Sequence, residues 1–335
     1  MYKLENIIGH PQILRTLKNS VQRGKMAHAY LFMGPSGVGK ETVARAFAGV
    51  LLCEAPREGD ACGNCRSCRQ IEGGNHPDLH LLQPTGASIK IEQMRELQRQ
   101  VQYKPYQGGR HVFIIEKAEA MTQEAANSFL KTLEEPTGQT AFLLLSDQPY
   151  GLLPTILSRC QQFQFRPLSS QEVAAGLVSL CGMEQDAASQ LAPLAGGSLG
   201  RAVRLSGGGE QWPLRTKALE IARLLPQMNK TRALAVAEEM AADRAEAAEC
   251  LEIILLWLRD ILVFQYAGKP DILINQDRTG SIVEQSAWYE PAALSAIIEE
   301  IKLARERILA NANTRMTLEV LMLKIHSYGG NDNAN

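Results

Sequence analysis

At 335 residues, with 45% hydrophobic and 21% charged positions, the chain has the make-up of a globular protein of two or three domains. The 35 Lys+Arg against 36 Asp+Glu leave a net charge of -1, which excludes a chain-wide basic footprint for nucleic acid but not a local patch. No run reaches about 18 uninterrupted apolar residues, and Met1–Asn6 has no signal-peptide pattern, so a cytoplasmic location without a membrane partner is expected.

In chain order, Pro11–Val21 places Ile13, Leu14, Leu17 and Val21 on one helical face. Ala29–Met33 is a short apolar strand, and residues 40–52 read as a helix. A cysteine-bearing segment interrupts, followed by a strand at Leu79–Leu82, a helix over about 91–102 and a strong strand at His111–Ile115. The helix Gln123–Glu134 should stop before Pro136, which cannot continue it. Thr140–Leu145 is another apolar strand, and Gln161–Phe165 is a candidate fifth. Strands that alternate with helices and are apolar throughout predict a parallel sheet covered on both faces.

Beyond Arg166-Pro167-Leu168 the pattern changes. Residues 169–205 predict two or three short helices closing on Gly196–Ala202, and Gly207-Gly208-Gly209 reads as a linker. From Trp212 to Tyr328 the periodicity is helical, as in Leu251–Leu262 and Thr317–Ile325, and 329–335 reads as a disordered tail. No internal repeat is visible.

The stretch Gly34-Pro35-Ser36-Gly37-Val38-Gly39-Lys40-Glu41 lies between the first strand and the helix after it. Strand, glycine-rich loop and helix form the layout in which backbone N–H groups and a helix N-terminus hold a nucleotide's phosphates. The pattern G-x-x-x-x-G-K-[ST] is complete except at its last position. There Glu41 replaces the hydroxyl that holds Mg²⁺. Gly34, Gly37, Gly39 and Lys40 keep the cradle and its cation, while Glu41 adds negative charge near the phosphates. Occupancy by ATP or ADP therefore stays open.

Of seven cysteines, Cys160, Cys181 and Cys250 are scattered, whereas Cys53, Cys62, Cys65 and Cys68 cluster. In a reducing compartment such a cluster points to metal rather than disulfides. Four thiolates at this spacing suit tetrahedral Zn²⁺, and four protein ligands leave no position for a reactive water. The site is read as structural.

Taken together, these residues resemble the bacterial DNA polymerase III clamp-loader family, a group of AAA+ ATPases. The resemblance runs through Ile8-Gly9-His10, His28–Phe32, the phosphate loop, the four-cysteine insertion, Ala125–Pro136 and Leu153–Cys160. It implies an α/β AAA+ P-loop domain over 1–167 with a zinc module at 53–68. A small helical lid over 168–208 and an all-α collar over 209–328 would follow, the collar holding a pentamer together. Implied partners are gamma/tau and delta subunits, the sliding clamp, and primed DNA reached through the complex.

Within this family the departures separate two roles. An ATP-hydrolysing motor subunit carries Thr or Ser after the loop lysine and Asp-Glu at the end of an apolar strand. Here those positions are Glu41 and Glu116-Lys117. Glu116 can stand in part for the Mg²⁺-binding Asp, but Lys117 cannot orient an attacking water, because a cation accepts no proton. A tau-type motor would also bring a long C-terminal extension. Ser146-Asp147-Gln148-Pro149 is a partial match to the family's sensor-1 segment, and Arg201 falls where a sensor-2 arginine is expected, unless it is a plain surface cation at a helix start. Ser158-Arg159-Cys160 is intact, and in the family this arginine reaches the neighbouring subunit's ATP site. The expectation is a subunit that assists hydrolysis next door without performing its own. It would be tied to DNA-directed DNA polymerase activity only by membership of the complex, since no carboxylate arrangement of a nucleotidyl transferase is present.

Overall fold

The computed structural model describes residues 3–107, 109–135, 139–206 and 213–328. The glycine linker at 207–209, the helix stop at Pro136 and the tail at 329–335 lie outside the described residues. The chain divides into two compact units. One holds the described residues up to Glu172 together with Gly197–Gly200, and the other holds Val173–Gly196 and the described residues from Arg201 onward.

The first unit is built on a parallel sheet. Its elements in order are α1 (Pro11–Gln22), β1 (Ala29–Met33), α2 (Lys40–Leu52), α3 (Arg66–Glu72), β2 (Leu79–Leu82), α4 (Ile91–Gln102), β3 (His111–Ile115), α5 (Gln123–Glu134), β4 (Thr140–Ser146), α6 (Pro154–Leu157) and β5 (Gln161–Gln164). The five strands run in the order β2-β3-β4-β1-β5, every pair parallel. The three inner strands are buried along their whole length, which is why they read as unbroken apolar runs. At the edges, β2 is only partly buried and β5 buries Phe163 alone. The sheet nearly coincides with the sequence expectation. β4 gains Ser146, and β5 ends at Gln164, although the Phe165 N–H still donates to the Met33 carbonyl.

Side chains leave the sheet alternately to its two faces. Tyr30, Phe32, Val112, Ile114, Leu143 and Leu145 pack with Leu17 of α1, Phe47 of α2 and Ile71 of α3. Leu31, Met33, Phe113, Ile115, Phe142 and Leu144 pack on the other face with Met94 and Leu97 of α4 and Phe129 of α5. Tyr30, Phe32, Phe47, Phe113, Phe129 and Phe142 are fully buried. Full burial of one such side chain favours folding by roughly 1.5–3 kcal/mol, so these contacts make a stiff support for the loop after β1. Helix α5 starts where the Thr122 side chain accepts from the Ala125 N–H, an N-cap of the ordinary kind. Helix α3, inside the cysteine segment, has no apolar periodicity to announce it, since Ser67, Cys68 and Ile71 form its buried side.

Among the described residues from 170 onward the regular elements are all helices: α7 (Ser170–Cys181), α8 (Gln185–Leu191), α9 (Leu199–Ser206), α10 (Pro213–Leu224), α11 (Lys230–Met240), α12 (Arg244–Ala267), α13 (Thr279–Ser286), α14 (Pro291–Leu309) and α15 (Thr314–Tyr328). In the second unit α12 is the central helix, packed against α10, α13 and α14, and α15 lies against α11 and α14. Asp243 caps α12 by accepting from the Glu246 N–H, and Gly268 ends it in the left-handed region. Two buried polar arrangements fix this unit. The Trp257 indole donates to the Gln285 amide oxygen at 3.0 Å. The fully buried Asp260 carboxylate accepts from the backbone N–H groups of Ile274 and Asn275 and from the Asn275 side chain. No helix among the described residues is long and apolar enough to cross a membrane.

Candidate phosphate-loop site and four-cysteine centre

The loop of residues 34–39 leaves the carboxyl end of β1, between the neighbouring strands β4 and β5. In open parallel sheets, ligands bind at this end, at a crevice where chain connections diverge. The Gly34 N–H donates to the Ser146 carbonyl at 3.2 Å, locking the loop's start to the end of β4. A Cβ at Gly34 would sit 2.5 Å from the Phe165 carbonyl oxygen, so no other residue fits there. Gly39, at φ 104°, is the residue from which α2 springs. Two loop carbonyls are also held. The His10 Nε2 lies 2.9 Å from the Val38 oxygen and acts as donor to it. The Gly200 N–H donates to the Gly37 oxygen at 3.0 Å. The sequence placed His10 in the resemblance but gave it no task. Its role depends on a contact across 28 positions of chain.

Lys40 is 7% exposed, and its ammonium is in hydrogen-bond reach of three acceptors. These are the Gly34 oxygen at 2.7 Å, the Pro35 oxygen at 2.6 Å and Asp147 Oδ1 at 2.6 Å. Glu41, exposed on the first turn of α2, turns its carboxylate to Arg45 at 2.7 Å. Arg45 in turn lies 3.9 Å from Glu116 at the end of β3. The other Glu116 oxygen accepts from the Gln83 side chain at 2.9 Å. Burial raises the Glu116 carboxyl above its usual range, with the charge of Glu41 adding to the effect. Lys117 follows in the left-handed region, at φ 48°, and is exposed. The backbone of the loop thus fits a phosphate, but the position of the metal-holding hydroxyl is filled by a carboxylate committed to Arg45.

Arg159 stands just past α6, with its side chain 34% exposed. It donates to the Thr155 oxygen at 2.9 Å and pairs with the Glu134 carboxylate at the end of α5. It precedes β5, the neighbour of β1, and so lies at the opposite, amino end of the strands: Gln161, two residues on, pairs with Tyr30. Arg159 and the phosphate loop are therefore not brought together within the unit. Arg201 belongs to the second unit, where its guanidinium meets Glu249 at 2.7 Å and Glu252 at 3.3 Å.

The four cysteines converge, their sulfurs all within 4.8 Å of one another. Cys53 and Cys65 Sγ are 4.0 Å apart, and Cys62 and Cys68 Sγ are 3.9 Å apart. A tetrahedron with arms of about 2.3 Å has edges of about 3.8 Å, so the donor set fits Zn²⁺. The sulfurs also receive backbone N–H groups, from Cys62 to Cys53 and from Cys68 to Cys65, as thiolates do in metal knuckles. The Asn64 N–H lowers the Cys62 thiol to about 6, while burial raises Cys53 and Cys68. Such burial of bare thiolates is offset when a divalent cation sits among them. Asp60, 6% exposed and inside this insertion, accepts from the Leu4, Glu5 and Ala61 N–H groups and pairs with Lys18 at 3.1 Å. It ties the module to the amino-terminal segment and to α1, a role with no signature in the sequence.

A five-stranded parallel sheet with a glycine-rich loop between β1 and α2, and helices on both faces, defines a P-loop domain of the AAA+ type. Residues 9–169 match the family described as "DNA polymerase III, delta subunit", and residues 210–327 match "DNA polymerase III, delta subunit, C terminal". DNA polymerase III subunit delta' of Bacillus subtilis is 34% identical, over 94% of this chain and 95% of its own. The delta' subunit of Pseudomonas aeruginosa is 36% identical, over 92% and 94%. The tau subunit of Escherichia coli is 34% identical over 95% of this chain, but over only 53% of its own longer one. The chain belongs to the delta-prime family of DNA polymerase III clamp-loader subunits.

Proposed function

We propose that this chain serves the clamp loader as an arginine donor that does not hydrolyse ATP itself. In this reading it joins gamma/tau and delta subunits in a hetero-pentamer that places the sliding clamp on primed DNA. Residues 168–208 act as the lid and 209–328 as the collar, and Arg201 is the lid's sensor arginine. Arg159 reaches the γ-phosphate held by a neighbouring subunit. A guanidinium there stabilises charge that develops during phosphoryl transfer, an effect worth roughly 10³–10⁵ in rate where fingers act in trans on GTPases.

The observation that carries this reading is the pairing of Glu41 with Arg45. The residue at the metal-holding position of the loop is spent on a salt bridge with its own helix. Lys117 supports the same conclusion, because the acceptor half of an ATPase site needs a carboxylate there. Against this loss, Arg159 keeps its place on an accessible turn. Zn²⁺ held by Cys53, Cys62, Cys65 and Cys68 supplies structure, and ATP or ADP is the ligand class for Gly34, Gly37, Gly39 and Lys40.

The test is to compare ATP turnover of the purified chain with that of the reconstituted loader. The isolated chain should show no DNA-stimulated turnover, and Arg159→Ala should depress turnover of the loader. An isolated chain that hydrolyses ATP in response to DNA would favour the motor reading. Unchanged loader rates with Arg159→Ala would remove the donor role.

A further inference from the structure

We propose that Asp147 acts as a built-in anion for the phosphate loop, competing with a nucleotide's phosphates for Lys40 and setting how tightly the loop takes a polyphosphate. The inference rests on the reading of residues 34–40 as a phosphate cradle and goes beyond it.

An ammonium group has three N–H bonds, and in Lys40 all three have acceptors: two loop carbonyls and the Asp147 carboxylate. The side chain is nearly enclosed at 7% exposure, while Asp147 is 33% exposed and stands beside the start of the loop. Sheet register puts Asp147 there. Met33 of β1 pairs with Ser146 of β4, so Gly34 and Asp147 each stand one residue beyond the ends of adjacent parallel strands. The Gly34 N–H to Ser146 oxygen bond holds the two ends together. The Asp147 N–H donates to the Glu119 carboxylate at 3.1 Å, which fixes the backbone behind it. The contact is a product of rigid strands rather than of a wandering side chain.

A polyphosphate entering the cradle must take Lys40 from Asp147 and then lie beside a displaced carboxylate. Glu41, one residue beyond Lys40, adds a second negative charge. Like charges repel far more strongly at the effective dielectric of a protein surface than in bulk water. Removing the Asp147 charge while keeping its shape should therefore tighten binding through Lys40. No hydrolysis follows from that gain, because the metal-holding and water-orienting groups are still missing.

The experiment is a titration of the full-length chain with ADP, followed by calorimetry, for the natural protein, Asp147→Asn, Lys40→Ala and the double variant. Asp147→Asn should bind ADP at least roughly tenfold more tightly than the natural chain. Lys40→Ala should abolish that gain in the double variant. Asp147→Thr serves as a second neutral variant, and thermal melting checks that each is folded. Equal or weaker binding by folded Asp147→Asn and Asp147→Thr would overturn the inference. If natural binding is nonetheless lost in Lys40→Ala, the cradle itself stands. A gain that survives Lys40→Ala would place the ligand elsewhere and overturn both.

Discussion

The guanidinium of Arg159 rests on the carboxylate of Glu134, joining the turn after α6 to the end of α5. Both groups are partly solvated, and exposed ion pairs of this kind contribute about 0–1 kcal/mol. Arg159→Ala should therefore change the urea midpoint of the isolated chain only slightly, while cutting ATP turnover of the assembled loader by roughly tenfold or more. A large stability loss with intact loader turnover would mean that Arg159 is a structural residue.

Metal removal should act at a distance. Because Asp60 lies in sequence between Cys53 and Cys62 of the cysteine cluster and also holds Leu4, Glu5 and Lys18, stripping the module with a chelator should loosen the amino-terminal segment. Zinc content near one per chain is expected, falling in Cys68→Ser. Hydrogen exchange should speed up at residues 4–5 as well as around 61–68 on chelation. Exchange confined to the cysteine segment would deny the link through Asp60.

In the second unit, Asp260→Ala should be among the most damaging single changes. It strands the N–H groups of Ile274 and Asn275, and it leaves Arg259 without the carboxylate it meets at 2.7 Å. Breaking a buried, charge-assisted cluster costs about 3–5 kcal/mol. Denaturant unfolding of the variant should show a loss of that order. A loss under about 1 kcal/mol would imply that solvent reaches the cluster.

Glu116 gives a pH-dependent prediction. Burial raises its folded pKa, so the folded chain holds this proton more tightly than the unfolded chain does. The associated stability is complete below the unfolded value, near about 4.3, and is lost as pH rises through the folded value. Glu116→Gln removes that loss. The variant should melt higher than the natural chain at about pH 7.5 and with little difference near about pH 4. An offset that is the same at both values would contradict this account.

The strands of the sheet were legible because each inner one is buried on both faces and so carries an uninterrupted apolar run. The phosphate loop was legible because its backbone needs glycine at set places, Gly34 above all. The cysteine cluster followed from spacing alone. What escaped are contacts between distant parts of the chain. Nothing in the sequence couples His10 to Val38, Asp60 to the Leu4 N–H, or Arg159 to Glu134. In the sequence Asp147 shows only as part of a segment, but its hold on Lys40 comes from the register of β1 and β4. Helix α3 was hidden because its inward face is made of Ser67 and Cys68 as much as of Ile71.

One property of the sheet bears on assembly. β1 and β5 run side by side in the same direction, with Tyr30 opposite Gln161 and Met33 opposite Gln164. The phosphate loop leaves the exit edge of this strand pair, whereas Arg159 stands at its entry edge, about 10 Å or more away along the strands. A chain laid out in this way cannot close the circuit upon itself. On the proposed reading, its arginine would serve only a different molecule, and only across a contact in which unlike faces meet. Contacts of that kind have a direction, and repeated around an axis they give a ring or arc with distinguishable ends. On the proposed reading this subunit's worn phosphate loop and intact arginine suit one station of such an arc. There the exit edge needs no working partner, and the entry edge faces a subunit that still burns ATP.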